Sequence, residues 1–226
     1  MGQTASKFTY QEADWPFVWA LWDASVLDWK KDVPSNQRLA FSQAQNDLPV
    51  EITPTIYLGN CQYIQDLHKL KELGIHRVLN MAGDMKVFPK PLNQALRELG
   101  IVYKVIGAED EEDYPLLDKH WDEAHEFLSD AHTRGEKVLV HCIAGQNRSA
   151  LIVTAEYMIR TNTNVIEAVR YIRMKRGNAA LQNEGFQEQI VAFARHHNLL
   201  GEAPTPPTCP RPQRTKRIQS IGKLDM

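Results

Sequence analysis

One stretch of this chain combines a nucleophile, a guanidinium group and a glycine at fixed spacing: His141-Cys-Ile-Ala-Gly-Gln-Asn-Arg-Ser149. Cys142 precedes Arg148 by six positions, with Gly145 midway. An apolar run leads in at residues 137–140 and an apolar helical pattern leads out from Ala150, which predicts a strand, a tight loop and a helix. Backbone N–H groups in such a loop, together with the positive end of the helix dipole, can bind a phosphate dianion.

The chemistry that these residues could perform is attack by a thiolate on phosphorus. The loop N–H groups and Arg148 would stabilise the Cys142 thiolate, and the planar guanidinium can bind two phosphate oxygens at once. The attack would give a cysteinyl-phosphate. The alternative is a buried cysteine at a strand end and a surface arginine, but the shared register of cysteine, glycine and arginine favours catalysis.

The loop resembles the signature of the protein tyrosine phosphatase superfamily, in which His-Cys is followed after five residues by Arg and a hydroxyl residue. The surrounding chain resembles the dual-specificity branch, in a small atypical form. Four further stretches carry this resemblance, in the right order, over about residues 50–197. They are Ile52-Thr-Pro-Thr-Ile-Tyr-Leu-Gly59, Leu73-Gly-Ile-His-Arg-Val-Leu-Asn80, Ala108-Glu-Asp-Glu-Glu-Asp113 and Asn183-Glu-Gly-Phe-Gln-Glu-Gln-Ile190.

The resemblance implies catalytic roles for three residues besides Cys142. Arg148 would bind the phosphate. Asp110 would protonate the leaving oxygen and then activate a water molecule, although all five residues of 109–113 are acidic and their chemistry alone does not choose among them. Ser149 would hydrogen-bond the sulfur and help it leave in the second step, while also capping the helix.

The resemblance also implies that the loop itself binds the substrate phosphate. His141 would orient the loop by hydrogen bonding. We do not expect it to bind a metal, because no second ligand lies at suitable spacing nearby. We expect neither a metal nor another cofactor. The substrate-binding residues are His141, Ile143, Ala144, Gly145, Gln146, Asn147 and Arg148.

Substrate class is less sharply defined by the sequence. We find no counterpart of the extra recognition loop of the tyrosine-only branch, so we expect a shallower cleft and phosphoprotein substrates carrying phosphotyrosine or phosphoserine/threonine. Asn147 stands where many dual-specificity loops carry serine, and some relatives acting on RNA 5′-triphosphate ends carry asparagine, so RNA 5′-phosphatase activity is one alternative. Against a polyanionic substrate, the loop interior contains no Lys or Arg. A non-catalytic phosphate-reading scaffold is the other alternative, but it would need neither Cys142 nor Asp110.

Composition narrows the class of protein. The formal net charge of −2 over 226 residues gives no general reason to bind nucleic acid. Three cysteines and the lack of a long apolar stretch indicate a reducing, cytoplasmic location.

We expect an N-terminal extension at 1–48, a catalytic domain at 49–198 and a Pro-rich basic tail at 199–226. The sequence leaves the oligomeric state open.

The order of elements predicts an α/β fold, with a central, mostly parallel sheet flanked by helices. Strands are expected near residues 54–58, 77–81, 101–106 and 137–141. Helices are expected near residues 62–73, 118–133, 148–160, 164–175 and 184–196.

Both extensions carry possible localisation signals. Met1-Gly-Gln-Thr-Ala-Ser6 matches a myristoylation pattern that would place a lipid on Gly2. One acyl chain binds membranes weakly, so the basic tail would act as a second signal at the cytoplasmic face of a membrane. A solvated tail and an unmodified N-terminus are the alternatives.

A tryptophan-rich segment follows the N-terminus. Its aromatic and apolar residues recur at helical spacing, which predicts an amphipathic helix. We expect this face to pack against the catalytic domain rather than against an anionic membrane, because acidic residues lie opposite. The residues of the stripe are Trp15, Trp19, Trp22, Val26 and Trp29.

Overall fold

A computed structural model describes residues 6–26, 49–83 and 91–205. Gly2, Trp29 and the basic part of the tail lie outside these residues. The strands are β1 (Val50–Thr53), β2 (Ile56–Gly59), β3 (Ile75–Asn80), β4 (Val102–Val105) and β5 (Lys137–His141). The α-helices are α1 (Trp15–Val26), α2 (Leu67–Glu72), α3 (Pro91–Glu98), α4 (Leu116–Thr133), α5 (Arg148–Thr161), α6 (Val165–Arg176) and α7 (Glu184–His196).

The strands form a five-stranded sheet in the order β1-β2-β5-β3-β4. β1 pairs antiparallel with β2, and the other neighbours are parallel. Parallel strands need crossover connections, and helices supply them on both faces of the sheet. The predicted α/β class with a mostly parallel sheet is confirmed.

The central strand β5 shows how the two faces are filled. Val138 and Val140 belong to the larger core, which α4 to α7 cover, whereas Leu139 belongs to a smaller core under α2 and α3. Successive side chains of a strand point to opposite faces. Burial on both sides therefore fixes β5 firmly, and with it the loop that follows.

Two parts of the predicted element order differ from the structure. The single helix expected over 62–73 is wrong: a 3-10 turn ends at Gln65 and α2 begins after Asp66. The Asp66 side chain accepts a hydrogen bond from Lys69 N at 2.9 Å, so it caps α2 and interrupts the run. Strand β1 and helix α3 were not expected, since both are short.

The N-terminal segment packs against the catalytic fold. Trp15, Phe17, Val18 and Leu21 of α1 are buried in the larger core, where α1 contacts α6 and α7. The packing interpretation of the tryptophan-rich helix is thus confirmed for its described part, although Trp19 and Trp22 are only half-buried. A boundary at residue 48 stays a prediction.

The described residues contain neither a membrane-spanning helix nor a metal-binding cluster. Within residues 6–26, 49–83 and 91–205, no helix is both long and apolar enough to cross a membrane. The same ranges hold no group of three or more His, Cys, Asp or Glu side chains that could bind a metal ion.

Candidate active site

The cysteine loop joins the central strand to a buried helix. β5 ends at His141, Cys142 follows, and α5 begins at Arg148. His141 pairs with Gly59 of β2 and with Asn80 of β3. The loop therefore lies at the carboxyl ends of three adjacent parallel strands, which is where α/β proteins bind ligands.

The peptide groups of the loop are oriented by hydrogen bonds from outside it. Ile143 O accepts from Cys61 N at 3.1 Å, and Gln146 O accepts from Leu181 N at 2.7 Å. Arg176 donates to the two carbonyls between them. Because the C=O and N–H of one peptide point in opposite directions, fixing these carbonyls outward turns the following N–H groups toward the interior of the loop. That is the arrangement required to bind an oxyanion.

Gly145 allows the loop to turn. Its φ is +66°, in the left-handed region, and a Cβ there would lie 2.3 Å from Gly59 O. A side chain would therefore be strained by the backbone conformation and would also collide with β2. Glycine at the midpoint of the motif is a steric requirement of this loop.

Arg176 was not identified from the sequence as a site residue. Its Nε donates to Gly145 O at 3.0 Å and its Nη2 to Ala144 O at 2.9 Å, from 31 and 32 positions away. Burial lowers the pKa of Arg176, and the charge of Cys142 opposes this effect. A buried cation is thus within electrostatic reach of the sulfur. In the sequence Arg176 only marks the end of a helix, so no local pattern indicated this contact.

Cys142 itself is buried, with 1% of its surface exposed. Ser149 Oγ donates a hydrogen bond to Cys142 Sγ at 3.2 Å. His141 is also fully buried, and its Nδ1 lies 3.1 Å from Cys142 O. A carbonyl only accepts, so Nδ1 must carry the proton. Burial lowers the pKa of His141 to about 4, which keeps the imidazole neutral at physiological pH.

Arg148 links the cysteine loop to the acidic loop. Its Nη1 donates to Ala108 O at 3.3 Å, and its Nε lies 3.6 Å from Asp110 Oδ2. This Nε is buried and makes no hydrogen bond with the described part of the chain. The guanidinium is therefore fixed at the base of the loop with donor capacity for an anion.

The fold distinguishes Asp110 from the other acidic residues of its loop. Its carboxylate accepts hydrogen bonds from Asn147 Nδ2 at 3.4 Å and Asn183 Nδ2 at 3.2 Å. All five residues of 109–113 are exposed, so these two hydrogen bonds and the nearby Arg148 guanidinium, rather than burial, set Asp110 apart. Asp110 thus faces the cysteine loop, where a general acid would be needed.

The remaining predicted substrate-binding residues form the surface of the loop. Ile143 is 49% exposed and Ala144 is exposed, whereas Gln146 and Asn147 are half-buried. The structure therefore brings the predicted catalytic and phosphate-binding residues into one site. Their individual roles stay predictions, and the predicted lipidation site at Gly2 lies outside the described residues.

Comparison with known proteins identifies the family. The family described as "Dual specificity phosphatase, catalytic domain" matches residues 56–196. This chain belongs to that family, which confirms the resemblance drawn from the cysteine loop and its flanking stretches.

Curated relatives agree with this assignment. Human dual specificity protein phosphatase 26 is 34% identical over 148 residues, covering 64% of this chain and 66% of the relative. A Slingshot phosphatase homolog from Xenopus laevis is 29% identical over 174 residues, covering 74% of this chain and 24% of its own length. The chain spans 23% to 31% of the length of three Slingshot phosphatases that it matches.

Solved structures show the same fold. DUSP15 is 27% identical with a TM-score of 0.56, over 66% of this chain and 90% of the DUSP15 chain. The human tyrosine phosphatase-like serine/threonine/tyrosine-interacting protein is 26% identical with a TM-score of 0.59, over 66% of this chain and 97% of that protein.

Proposed function

We propose that this chain is a cysteine-dependent protein phosphatase that hydrolyses phosphotyrosine and phosphoserine/threonine through a cysteinyl-phosphate intermediate. The observation that carries the proposal is the buried Cys142 sulfur, which accepts a hydrogen bond from Ser149. Arg176 fixes the surrounding loop, and Arg148 links that loop to the acidic loop. Family membership supports the same reaction class.

In the first step, Cys142 Sγ attacks phosphorus and the bond between phosphorus and the leaving oxygen breaks. The loop N–H groups and the guanidinium of Arg148 bind the equatorial oxygens, which carry the charge in the transition state. Asp110 gives its proton to the leaving oxygen, so that an alcohol or phenol departs instead of an alkoxide or phenoxide.

In the second step, water attacks the cysteinyl-phosphate and the bond between sulfur and phosphorus breaks. Asp110, now ionised, takes a proton from the water molecule. Inorganic phosphate forms and Cys142 leaves as a thiolate, which the Ser149 hydroxyl stabilises through its hydrogen bond. No metal or other cofactor takes part in either step.

Phosphoprotein substrates are supported by the chemistry of the loop and by family membership. The loop interior has no Lys or Arg, which suits one phosphate group better than a polyanionic headgroup. The exposed Ile143 gives the mouth of the loop an apolar edge against which a substrate side chain can pack.

Two alternatives make different predictions. RNA 5′-phosphatase activity was suggested by Asn147, but that side chain is engaged by Asp110, Gln182 and Asn183, and these contacts account for an asparagine there without RNA. A non-catalytic scaffold would bind phosphoproteins without turnover, and one similar solved structure is named as a phosphatase-like interacting protein. Measured turnover would exclude the scaffold.

The test is a comparison of Cys142→Ser with the natural chain on aryl phosphate, phosphotyrosine and phosphothreonine peptides, and 5′-phosphorylated RNA. We expect wild-type hydrolysis of the first three, and loss of turnover by many powers of ten in the variant with phosphate affinity retained. Arg148→Lys is also expected to be severe, because an ammonium cannot bind two oxygens in a planar fork. Turnover above about one hundredth of wild type in Cys142→Ser would contradict the nucleophile assignment. Mass spectrometry of proteins retained by Cys142→Ser would then identify substrates.

We further propose a cytoplasmic enzyme held at a membrane face by a myristoyl group on Gly2 and the basic residues of 210–226. This rests on the sequence pattern, since both segments lie outside the described residues. Residues 6–8 contact α4 through Asp118 and Asp122. Intact-mass measurement after co-expression with an N-myristoyltransferase tests the modification, and an unmodified glycine would refute it. Gly2→Ala should release the protein to the cytosol, and deletion of 210–226 should weaken binding in a salt-dependent way.

A further inference from the structure

Asn147 makes hydrogen bonds in two directions. Its Oδ1 accepts from Gln182 N at 3.0 Å and from Asn183 N at 3.2 Å. Backbone N–H groups only donate, so the oxygen of this amide must face them. The Nδ2 group is thereby directed at Asp110 Oδ2, 3.4 Å away.

Asn183 repeats this arrangement from a different element. As the N-cap of α7, its Oδ1 accepts from Phe186 N at 3.1 Å. That contact fixes the orientation of its amide too, so Nδ2 faces Asp110 Oδ1 at 3.2 Å. Each oxygen of the Asp110 carboxylate thus accepts a hydrogen bond from one asparagine, and each asparagine is oriented by the backbone.

The backbone of the acidic loop also rests on α7. A Cβ at Gly185 would lie 1.7 Å from Glu112 O, so the loop approaches the first turn of α7 as closely as a glycine permits. Gln189 of the same helix donates from Nε2 to Tyr114 O at 2.9 Å, where the loop ends. The start of α7 therefore supports the acidic loop along its length.

We propose that Asn147 and Asn183 form an amide clamp that holds the Asp110 carboxylate over the cysteine loop before substrate binds. Both are positioning residues, since they act on the reaction through Asp110. The proposal rests on the proposed function, with Asp110 as the general acid. A group fixed in advance does not need substrate-driven closure of its loop, so the Asp110 side chain is already in place when the substrate binds.

Serine variants test the clamp with little change to the helix cap. Asn183→Ser retains a side-chain oxygen suited to an N-cap but is too short to reach Asp110. Asn164→Ser is the matched control, because Asn164 caps α6 by the same contact, to Glu167 N at 3.0 Å, as part of a different helix. Asn147→Ser removes the other amide of the clamp.

Two substrates distinguish a misplaced general acid from general damage to the active site. Nitrophenyl phosphate has a leaving group that departs unaided, whereas phenyl phosphate needs protonation. For Asn183→Ser and Asn147→Ser we expect kcat/KM to fall about 100-fold with phenyl phosphate, the effect of misplacing a reacting group by about 1 Å. With nitrophenyl phosphate the fall should be less than about threefold for Asn183→Ser, because the acid contributes little there. Asn147→Ser should lower both rates, because Asn147 also belongs to the cysteine loop, but its loss should be larger with phenyl phosphate. Asn164→Ser should change neither.

A double-mutant cycle shows whether the effect passes through Asp110. In an Asp110→Asn background, Asn183→Ser should cause no further loss with phenyl phosphate, because the group being positioned is already absent. Full additivity would overturn the clamp. So would equal losses on both substrates, because those would make the asparagines structural supports of the cysteine loop.

Hydrogen exchange of the backbone amides in residues 108–113 provides a readout independent of turnover. Both clamp variants should exchange faster in this segment than wild type, with Asn164→Ser unchanged there. Unchanged exchange would overturn the clamp. Absence of wild-type hydrolysis combined with faster exchange would refute the proposed function while leaving the structural clamp intact.

Discussion

Ser149 Oγ donates a hydrogen bond to Cys142 Sγ across 3.2 Å, and both residues are buried. Ser149 lies in the first turn of α5, so the helix that presents its N-terminus to the cysteine loop also supplies this hydroxyl. A hydrogen bond to sulfur stabilises the thiolate more than a sulfur bonded to phosphorus, because only the thiolate carries a full negative charge.

The first prediction is that Ser149→Ala slows breakdown of the cysteinyl-phosphate more than its formation. A hydrogen bond to a charged group contributes about 1.5–3 kcal/mol, which corresponds to about 10- to 100-fold in rate. Rapid-mixing measurements with an aryl phosphate should show a burst of phenol release followed by slow turnover. Ser149→Thr retains the hydroxyl and should behave like wild type. Equal slowing of both steps would argue against a role in sulfur departure.

The second prediction concerns Gly145. Gly145→Ala should abolish phosphate binding and destabilise the protein, because the new Cβ would lie 2.3 Å from Gly59 O. Gly135→Ala is the matched control: its φ of +67° is nearly the same, but a Cβ there has nothing within 4 Å. The control should lose only about 1–2 kcal/mol from backbone strain and keep its activity. Urea unfolding measures the stability of both variants, and inhibition by phosphate measures their phosphate affinity. Equal values for the two variants would show that the backbone around Gly145 shifts to accommodate the new Cβ.

The third prediction is that the N-terminal segment stabilises the catalytic fold through Asp14. This carboxylate is 2% exposed and forms a two-point ion pair with Arg195, with Nε to Oδ1 at 2.8 Å. Asp14→Ala should lower the free energy of unfolding by about 3 kcal/mol, the low end for a broken buried pair, because Arg195 retains some exposure. Asp122→Ala breaks the exposed pair with Lys7 and should cost less than about 1 kcal/mol. Similar losses in urea unfolding would show that the segment docks without help from this pair.

The fourth prediction is a pH dependence of stability that arises from His141. Burial lowers its pKa from 6.5 to about 4 in the folded chain. Between these values the unfolded chain binds a proton that the folded chain does not. The free energy of unfolding therefore falls as the pH drops from 6.5 toward 4, by up to about 3 kcal/mol in total, and is insensitive to His141 above that range.

His141→Gln isolates this contribution, because burial also lowers the pKa of His120 and His197 and those residues remain in the variant. Urea unfolding at pH 7.5, 6 and 5 should give a difference between wild type and variant that shrinks as the solution becomes more acidic. A constant difference would contradict the assignment of a neutral, buried imidazole to this position.

The reactive groups of the candidate site were predictable from the sequence alone. Cys142, Gly145, Arg148 and Ser149 lie within eight consecutive positions, so strand and helix signals on either side suffice to predict a phosphate-binding loop and its nucleophile. The order of the main strands and helices was predictable for the same reason. Hydrophobic periodicity is a property of near neighbours along the chain.

Short elements were less predictable. β1 has four residues and α3 has eight. Segments this short contain too few residues for a hydrophobic periodicity to be recognised. The interruption of the expected helix at Asp66 depended on a single cap. In each of these cases the sequence feature spans only a few residues, and the hydrophobic pattern of the longer neighbouring segments dominates the prediction.

The distant residues that complete the site became evident only from the folded structure. Arg176 reaches the carbonyls of the cysteine loop from 31 positions away, and Asn183 reaches Asp110 from 73 positions away. Asp110 is one of five consecutive acidic residues in the sequence, and chain folding directs its carboxylate at Asn147 and Arg148. The sequence encodes which groups are available, but packing of α6 and α7 against the sheet sets their separations. Hydrogen-bond distances and burial, and through them protonation, depend on those separations rather than on position along the chain.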